Sequence, residues 1–192
     1  DVMSDSLKKN RRVLDDYSID DLIYFISTVS DTWLGAESDM ESLKQKGLLF
    51  LRNWCSAISL MSNSDESLRG TRTALDDFIV AGGGGNRRLI KAIPRGLICH
   101  WLAGNVPLLG MLGVVQGVIT KNANLIKVAS TNSAVLPMLL STFEDVVIEC
   151  PSGRIVKGND ILSTIGVIYF SKDNVSAGEQ MSLAADIRLA WG

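Results

Sequence analysis

The stretch 94–130 constrains the fold more than any other part of the chain. It holds a short apolar run, Leu97-Ile98-Cys99-His100-Trp101, then a loop of small and polar residues, Ala103-Gly104-Asn105-Val106-Pro107. An apolar stretch of helical length follows over 107–120, and a second strand-like run over 124–128. Proline suits the first turn of a helix, where its missing N–H has no intrahelical partner, so Pro107 is expected to open that helix. Strand, tight loop, helix and strand make a βαβ unit, which requires a parallel pair joined by a crossover. The whole apolar run, 97–120, is long enough to be weighed as a membrane span. The break at Gly104-Asn105-Val106-Pro107 cuts it into a short strand and a short helix. It therefore reads as buried core, with no membrane span.

The same rhythm continues towards Gly192. A helix is expected over 133–147, a third strand within 161–170, a helix over 176–185 and a fourth strand at Ile187–Ala190. Short β-branched runs alternating with helices specify an open parallel sheet, whose ligands bind at the carboxyl ends of the strands. The fold class is thus α/β, a Rossmann-like parallel sheet preceded by an N-terminal helical layer.

The first 80 residues carry helical patterning. Ser18 is expected to cap a helix with Asp20 and Asp21 in its first turn, and Leu22, Ile23, Phe25, Ile26 and Val29 recur at helical spacing. A second helix is expected over 40–61. A third is expected to start at Ser64-Asp65-Glu66 and run through Leu68, Leu75 and Phe78 to Val80. Gly82-Gly83-Gly84-Gly85 follows. Bare backbone amides can cradle phosphate, but no strand is expected before these glycines and no Gly-Lys-Ser/Thr follows. They read as a helix stop and connector, which divides the chain into a helical region, 1–81, and an α/β domain, 82–192.

Composition removes several function classes. A formal charge of -2 gives no basic surface for nucleic acid. Residues 1–12 are polar and charged, without the apolar core of a signal peptide. Cys55, Cys99 and Cys150 form no CxxC pair and are odd in number, which suits a reducing cytoplasm. With one histidine, His100, a Cys/His zinc site is not expected.

Asn105, placed just before a helix start, admits two roles. Its amide could donate to a developing oxyanion among unpaired N–H groups, or its side-chain oxygen could cap the helix. Cys99 and His100 are adjacent, as in a thiolate–imidazole pair. Successive strand residues face opposite sides, so the two are not expected to share a site. His100 reads as a hydrogen-bonded core group. Cys55 and Cys150 read as structural or incidental, and Lys121 and Asn122 as the turn into the second strand.

The run Pro94–Leu108, with Thr120-Lys121-Asn122-Ala123-Asn124-Leu125-Ile126-Lys127-Val128-Ala129-Ser130 after it, resembles the aldehyde dehydrogenase superfamily. There a strand leads to an Asn-x-Pro element, a helix follows, and the next strand ends in Lys. His100–Leu108, the Thr-Lys-Asn and Ile-Lys-x-x-Ser pieces, and the closing Asp186-Ile187-Arg188-Leu189-Ala190-Trp191-Gly192 look like LuxC-type acyl-CoA (fatty-acyl) reductases, known from luminescence. The likeness covers residues 90–192 well and the helical region by general character.

This resemblance implies reduction of an activated acyl group to an aldehyde with NADPH. Asn105 then matches the oxyanion-holding Asn, Trp101, Leu102, Ala103 and Gly104 line the nicotinamide-ribose side, Lys127 reaches the adenosine ribose, and Gly192 opens a turn near the cofactor. NAD-preferring members place a Glu where this chain has Ser130. A carboxylate there would accept from a ribose 2′-OH and repel a 2′-phosphate, so NADP(H) is expected over NAD(H). The family carries its acyl group on a cysteine in a second domain, and no residue here matches that nucleophile.

The chain, beginning without Met and stopping at Gly192, is expected to be a fragment. Alone it is expected to be inactive. The implied partners are an acyl-CoA or acyl-protein donor and an acyl-protein synthetase, with oligomerisation at full length. A non-catalytic remnant of the fold is the alternative. An ordinary Rossmann dehydrogenase is disfavoured because no GxGxxG follows the first strand.

Overall fold

The computed structural model describes residues 2–35, 40–81, 87–106 and 108–191. In chain order, α1 (Val2–Asn10) runs into a 3-10 turn and α2 (Ile19–Asp31) follows, then α3 (Glu41–Lys44), α4 (Leu48–Trp54) and α5 (Ala57–Ser67). A hairpin of β1 (Ile79–Ala81) and β2 (Arg88–Ile90) precedes β3 (Leu97–Trp101), α6 (Leu109–Ile119) and β4 (Ala123–Lys127). Next come α7 (Val135–Ser141) and a second hairpin of β5 (Val147–Glu149) and β6 (Ile155–Lys157). The last elements are α8 (Gly158–Leu162), β7 (Ile165–Ile168), α9 (Val175–Ala184) and β8 (Ile187–Ala190).

β7, β4, β3 and β8 form one parallel sheet in that order. Numbered as the strands of the sheet occur in the chain, this is 3-2-1-4. The connections run outward from β3 to β4 and β7, then return to β8 on the other side of β3. A crevice opens where the winding reverses, outside the carboxyl ends of β3 and β8.

The sheet is covered on both faces. On one side Leu7 of α1 and Met181 of α9 pack with Leu97, Cys99 and Leu125. On the other, α6 lies against His100 and Asn124, and α2 packs over α6. Residues of α2, α4, α5, α6 and α7 share a single core there, including Ile23, Phe25, Leu51, Leu60, Val114, Val118 and Leu139. The helices from α2 to α5 are therefore an outer layer on the α6 side, whereas α1 lies on the other face with α9. Ser18 caps α2 as expected, in a capping box with Asp21.

Three expectations fail in the first half. The single helix over 40–61 is broken twice. Gly47 sits at φ 97°, which a side chain would resist, and Ser56 starts α5 as a new N-cap, accepting from Ser59 N. No helix begins at Ser64, which lies inside α5. The chain leaves that helix through Arg69 and Gly70, both at positive φ. The chain at 79–81 is a strand, because Ile79-Val80-Ala81 pairs antiparallel with Arg88-Leu89-Ile90. Gly82–Gly85, read as a helix stop, lie outside the described residues, and what precedes them is a strand. In the second half the helix expected over 133–147 ends at Ser141. Asp145 at φ 56° turns the chain into β5.

Candidate functional site

The carboxyl ends of the four strands are laced together by backbone hydrogen bonds. Leu102 N donates to Lys127 O at 3.1 Å, Val128 N to Ile168 O at 3.0 Å and Trp191 N to Trp101 O at 2.9 Å. The pleat aligns residues by register. Trp101 pairs with Lys127 on one side and with Ala190 on the other, so these side chains share the α1/α9 face at its open edge. An open crevice of about 640 Å³ lies there, bounded by Trp101, Lys127, Phe170, Lys172, Gly178 and Arg188.

Three cations against one carboxylate, Glu179, make this crevice electropositive. Lys127 Nζ stands 5.7 Å from the centroid of the Phe170 ring, close enough for a cation–π contact that holds the ammonium at the rim. Arg188 is held by two donations to Ser182 O, at 3.1 and 2.7 Å. Asn174 caps α9, accepting from Ala177 N at 3.1 Å, so the amino end of that helix borders the same space.

The loop after β3 carries Leu102, Ala103 and Gly104, all half-buried, and Asn105, which is exposed. Gly104 O accepts from Asn132 Nδ2 at 2.6 Å and from Thr131 Oγ1 at 3.5 Å, so the loop after β4 braces the loop after β3. A side chain at Gly104 would collide with Thr131. Asn105 does not cap α6. The cap position is Leu108, without a side-chain hydrogen bond, and the Asn105 amide has no hydrogen-bond partner among the described residues. The capping role is thereby removed, and the amide is free to donate outward. Pro107 lies outside the described residues, and α6 begins at Leu109.

Lys127 and Trp101 thus meet in the crevice; Leu102–Asn105 continue the chain from Trp101 but are absent from its lining, and the Leu102 side chain lies against Gly110 of α6. Ser130 stands apart, exposed in the 3-10 turn Ser130–Asn132 and absent from the crevice lining. Gly192 lies outside the described residues. Lys172, Arg188 and Phe170, and the bracing pair Thr131 and Asn132, were not read from the sequence. Each follows the carboxyl end of a strand or lies on one, so the signal was positional and needed the strand order.

His100 and Cys99 face opposite sides of the sheet. Cys99 packs with Leu7 and Met181, whereas His100 Nε2 lies 2.9 Å from Asn124 Oδ1 under α6. Burial pushes the Cys99 thiol up to about 11, Cys55 to about 12 and Cys150 to about 11, so all three stay protonated near neutrality. None is an activated nucleophile. Lys121 and Asn122 do form the turn into β4, and both are buried: Lys121 pairs with Asp76 at 2.8 Å, and Asn122 Oδ1 accepts from Arg95 N and Gly96 N. Among the described residues no group of His, Cys, Asp and Glu could hold a metal, and no helix is long and apolar enough to cross a membrane.

Comparison with known proteins shows the family and the fold. The family model described as acyl-CoA reductase (LuxC) matches residues 14–192. Long-chain acyl-protein thioester reductase 2 of Photobacterium leiognathi is 28% identical over 198 residues, covering 91% of this chain and 37% of that protein. A long-chain acyl-protein thioester reductase of Aliivibrio fischeri is 30% identical over 162 residues, covering 84% of this chain and 30% of that one. The chain thus spans well under half the length of the curated relatives it matches. Among solved structures, glyceraldehyde-3-phosphate dehydrogenase GapN of Methanocaldococcus jannaschii, complexed with NADP, superposes with TM-score 0.56 at 11% identity, over 98% of this chain and 44% of that one. An NADP-dependent glyceraldehyde-3-phosphate dehydrogenase of Bacillus halodurans gives TM-score 0.53 at 13% identity, over 97% and 43%. The fold is shared with these dehydrogenases over 43–44% of their length.

Proposed function

The chain belongs to the acyl-CoA reductase (LuxC) family, and from that membership we propose that it is the cofactor-binding portion of an NADP(H)-dependent reductase that turns an activated long-chain acyl group into an aldehyde. The observation that carries the proposal is the electropositive crevice at the carboxyl ends of the strands, lined by Trp101, Lys127, Lys172 and Arg188.

The lining suits a phosphorylated dinucleotide. Lys127 and Lys172 offer charge-assisted donors to a phosphate, and with Arg188 they outnumber the one carboxylate of the lining, Glu179. Trp101 and the Leu102–Gly104 loop would flank the nicotinamide-ribose end, with Gly192 near the pyrophosphate. Reduced nicotinamide, when bound, supplies the hydride. Asn105 acts on the acyl group: its side-chain N–H would donate to the carbonyl oxygen as negative charge develops there. The acyl-bearing cysteine comes from outside residues 1–192, because the three cysteines here are buried and protonated.

The names of the relatives favour an acyl-protein thioester as donor over acyl-CoA; an acyl-protein synthetase is the partner that such a donor would require. Three free thiols suit a reducing cytoplasm. The β1–β2 hairpin exposes Phe78, Val80, Leu89 and Ile90, and a lone two-stranded sheet is marginal in water, which favours oligomerisation through it.

Calorimetric titration with NADP(H) and NAD(H) tests the reading. The phosphorylated cofactor should bind more tightly, and Lys127→Ala should weaken it about tenfold or more, the loss expected for one charge-assisted hydrogen bond. A folded protein that binds neither cofactor would refute the proposal and favour a non-catalytic remnant.

A further inference from the structure

His100 is fully buried on the α6 face of the sheet. Asn124 Nδ2 donates to Asn122 O at 3.2 Å, which leaves Asn124 Oδ1 to accept from His100 Nε2 at 2.9 Å. The ring is thereby fixed as the neutral tautomer protonated on Nε2, with a lone pair on Nδ1. Nδ1 is buried and has no donor among the described residues. The Trp191 indole Nε1, a donor only, is also buried and has no acceptor among them.

These two groups lie on one face of adjacent strands. His100 pairs in register with Leu189, and Trp191 is two residues further along the same strand direction. Both side chains border Gly113. A Cβ built there would stand 2.9 Å from His100 Nδ1 and 3.5 Å from Trp191 Cζ2. Glycine at this point of α6 lets the imidazole pack directly on the helix backbone, with one unpaired acceptor and one unpaired donor beside it.

We propose that His100 Nδ1 and the Trp191 indole N–H bind a single buried water between them against Gly113, and that this water-bridged pair positions the chain as it leaves β8. Water is the ligand whose chemistry fits. It accepts from the indole and donates to Nδ1, so one molecule satisfies both buried groups. Trp191 is the last described residue of the chain, and its backbone N–H donates to Trp101 O at the crevice edge. Fixing the indole therefore fixes the course of the backbone beside the crevice. This last step rests on the cofactor reading above; the water site itself does not.

The test uses full-length protein labelled with 15N-tryptophan, the Trp191 resonance being assigned with Trp191→Phe. The Trp191 indole N–H should show cross-relaxation with a long-lived water, and a high-resolution crystal structure should place an ordered water about 3 Å from both nitrogens. Trp191→Phe should raise the KM for NADPH about 3- to 10-fold, more than it lowers kcat. A direct hydrogen bond between the two nitrogens, a dry contact, or an indole N–H in free exchange with bulk water would overturn the site. An unchanged KM in Trp191→Phe would overturn the positioning role. Lys127→Ala serves as the control, since it should weaken NADPH binding while leaving the Trp191 water signal intact. Failure of wild-type protein to bind NADPH would count against the cofactor reading alone.

Discussion

Gly117→Ala should destabilise the protein, although the same change in an ordinary helix stabilises it. A Cβ at Gly117 would lie 2.7 Å from both Cγ and Nδ2 of Asn124, and closer to its Oδ1. Asn124 is fully buried and tied at both ends of its amide, to Asn122 O and to His100 Nε2. It cannot move without breaking one of these bonds. Forcing a methyl into a filled interior costs about 1–3 kcal/mol. Leaving the His100 N–H without an acceptor costs about 1–3 kcal/mol more. Replacing glycine inside a helix returns about 0.5–1 kcal/mol. The net loss is about 1–5 kcal/mol. Gly178 in α9 is the contrast: its nearest neighbour would be Phe170 Cε2 at 3.9 Å, an ordinary contact, so Gly178→Ala should gain about 0.5–1 kcal/mol. Urea unfolding of the two variants beside wild type decides the matter. Midpoints moving in opposite directions at unchanged slope support the close-packed polar pair; a neutral or stabilising Gly117→Ala refutes it.

The remaining predictions concern buried charge and thiols. Lys121 has only 6% of its side chain exposed and reaches Asp76 at 2.8 Å, while Asp76 also accepts from Ile19 N. Lys121→Met should cost about 1–3 kcal/mol in urea unfolding by stranding that carboxylate, and Asp76→Asn added to it should cost less than the sum. Burial holds the His100 pKa below 6.5, against the pull of its Asn124 hydrogen bond, so the unfolded chain binds the proton first as pH falls. Stability from this group is complete above pH 6.5 and is lost as pH falls from there towards the folded value. The slope of stability against pH in that window should shrink in His100→Gln, and an unchanged slope would assign it elsewhere. Finally, Cys55, Cys99 and Cys150 should resist iodoacetamide at pH 8 in native protein and react on unfolding; native alkylation of any of them at a free-thiol rate would contradict the raised pKa values.

What was legible in the sequence was what is local. Leu97–Trp101, the helix ending near Thr120, the strand ending at Lys127 and the closing Ile187–Ala190 each announce themselves by apolar length and flanking glycine or polar residues. The hairpins did not. Ile79-Val80-Ala81 has its partner beyond the glycines, so its apolar residues also fit the end of a helix. The β5–β6 hairpin carried a readable turn at Cys150-Pro151-Ser152-Gly153, but the helical pattern before it overran Ser141. Ser56, a good N-cap residue, could have divided the helix over 40–61; the left-handed Gly47 gave a weaker hint. Asn105 and Lys127 were singled out because their motif is contiguous, and of the two only Lys127 lines the crevice. Lys172 and Arg188 come from the segments after β7 and on β8, and nothing near them in sequence says that they meet Lys127.

The sheet order explains why these distant residues converge and also why a polar pair is tolerated beside them. With β8 placed next to β3 rather than next to β7, the carboxyl end of β3 becomes the meeting point of every segment that lines the crevice. The same strand must then serve two faces. Cys99 and Trp101 point to the crevice side, so His100 between them must point under α6, into a layer that is otherwise apolar. A leucine at position 100 would pack there without a partner and without a nearby glycine. The chain instead sets glycines at 113 and 117 of α6, four residues and about one turn apart, against the imidazole and the amide of Asn124. Interior glycine in a helix and a buried imidazole are each unfavourable alone. Their coincidence at the end of the strand that leads to Asn105 is what stability alone does not explain, and it points to the crevice edge as the place where the shape of the backbone matters most.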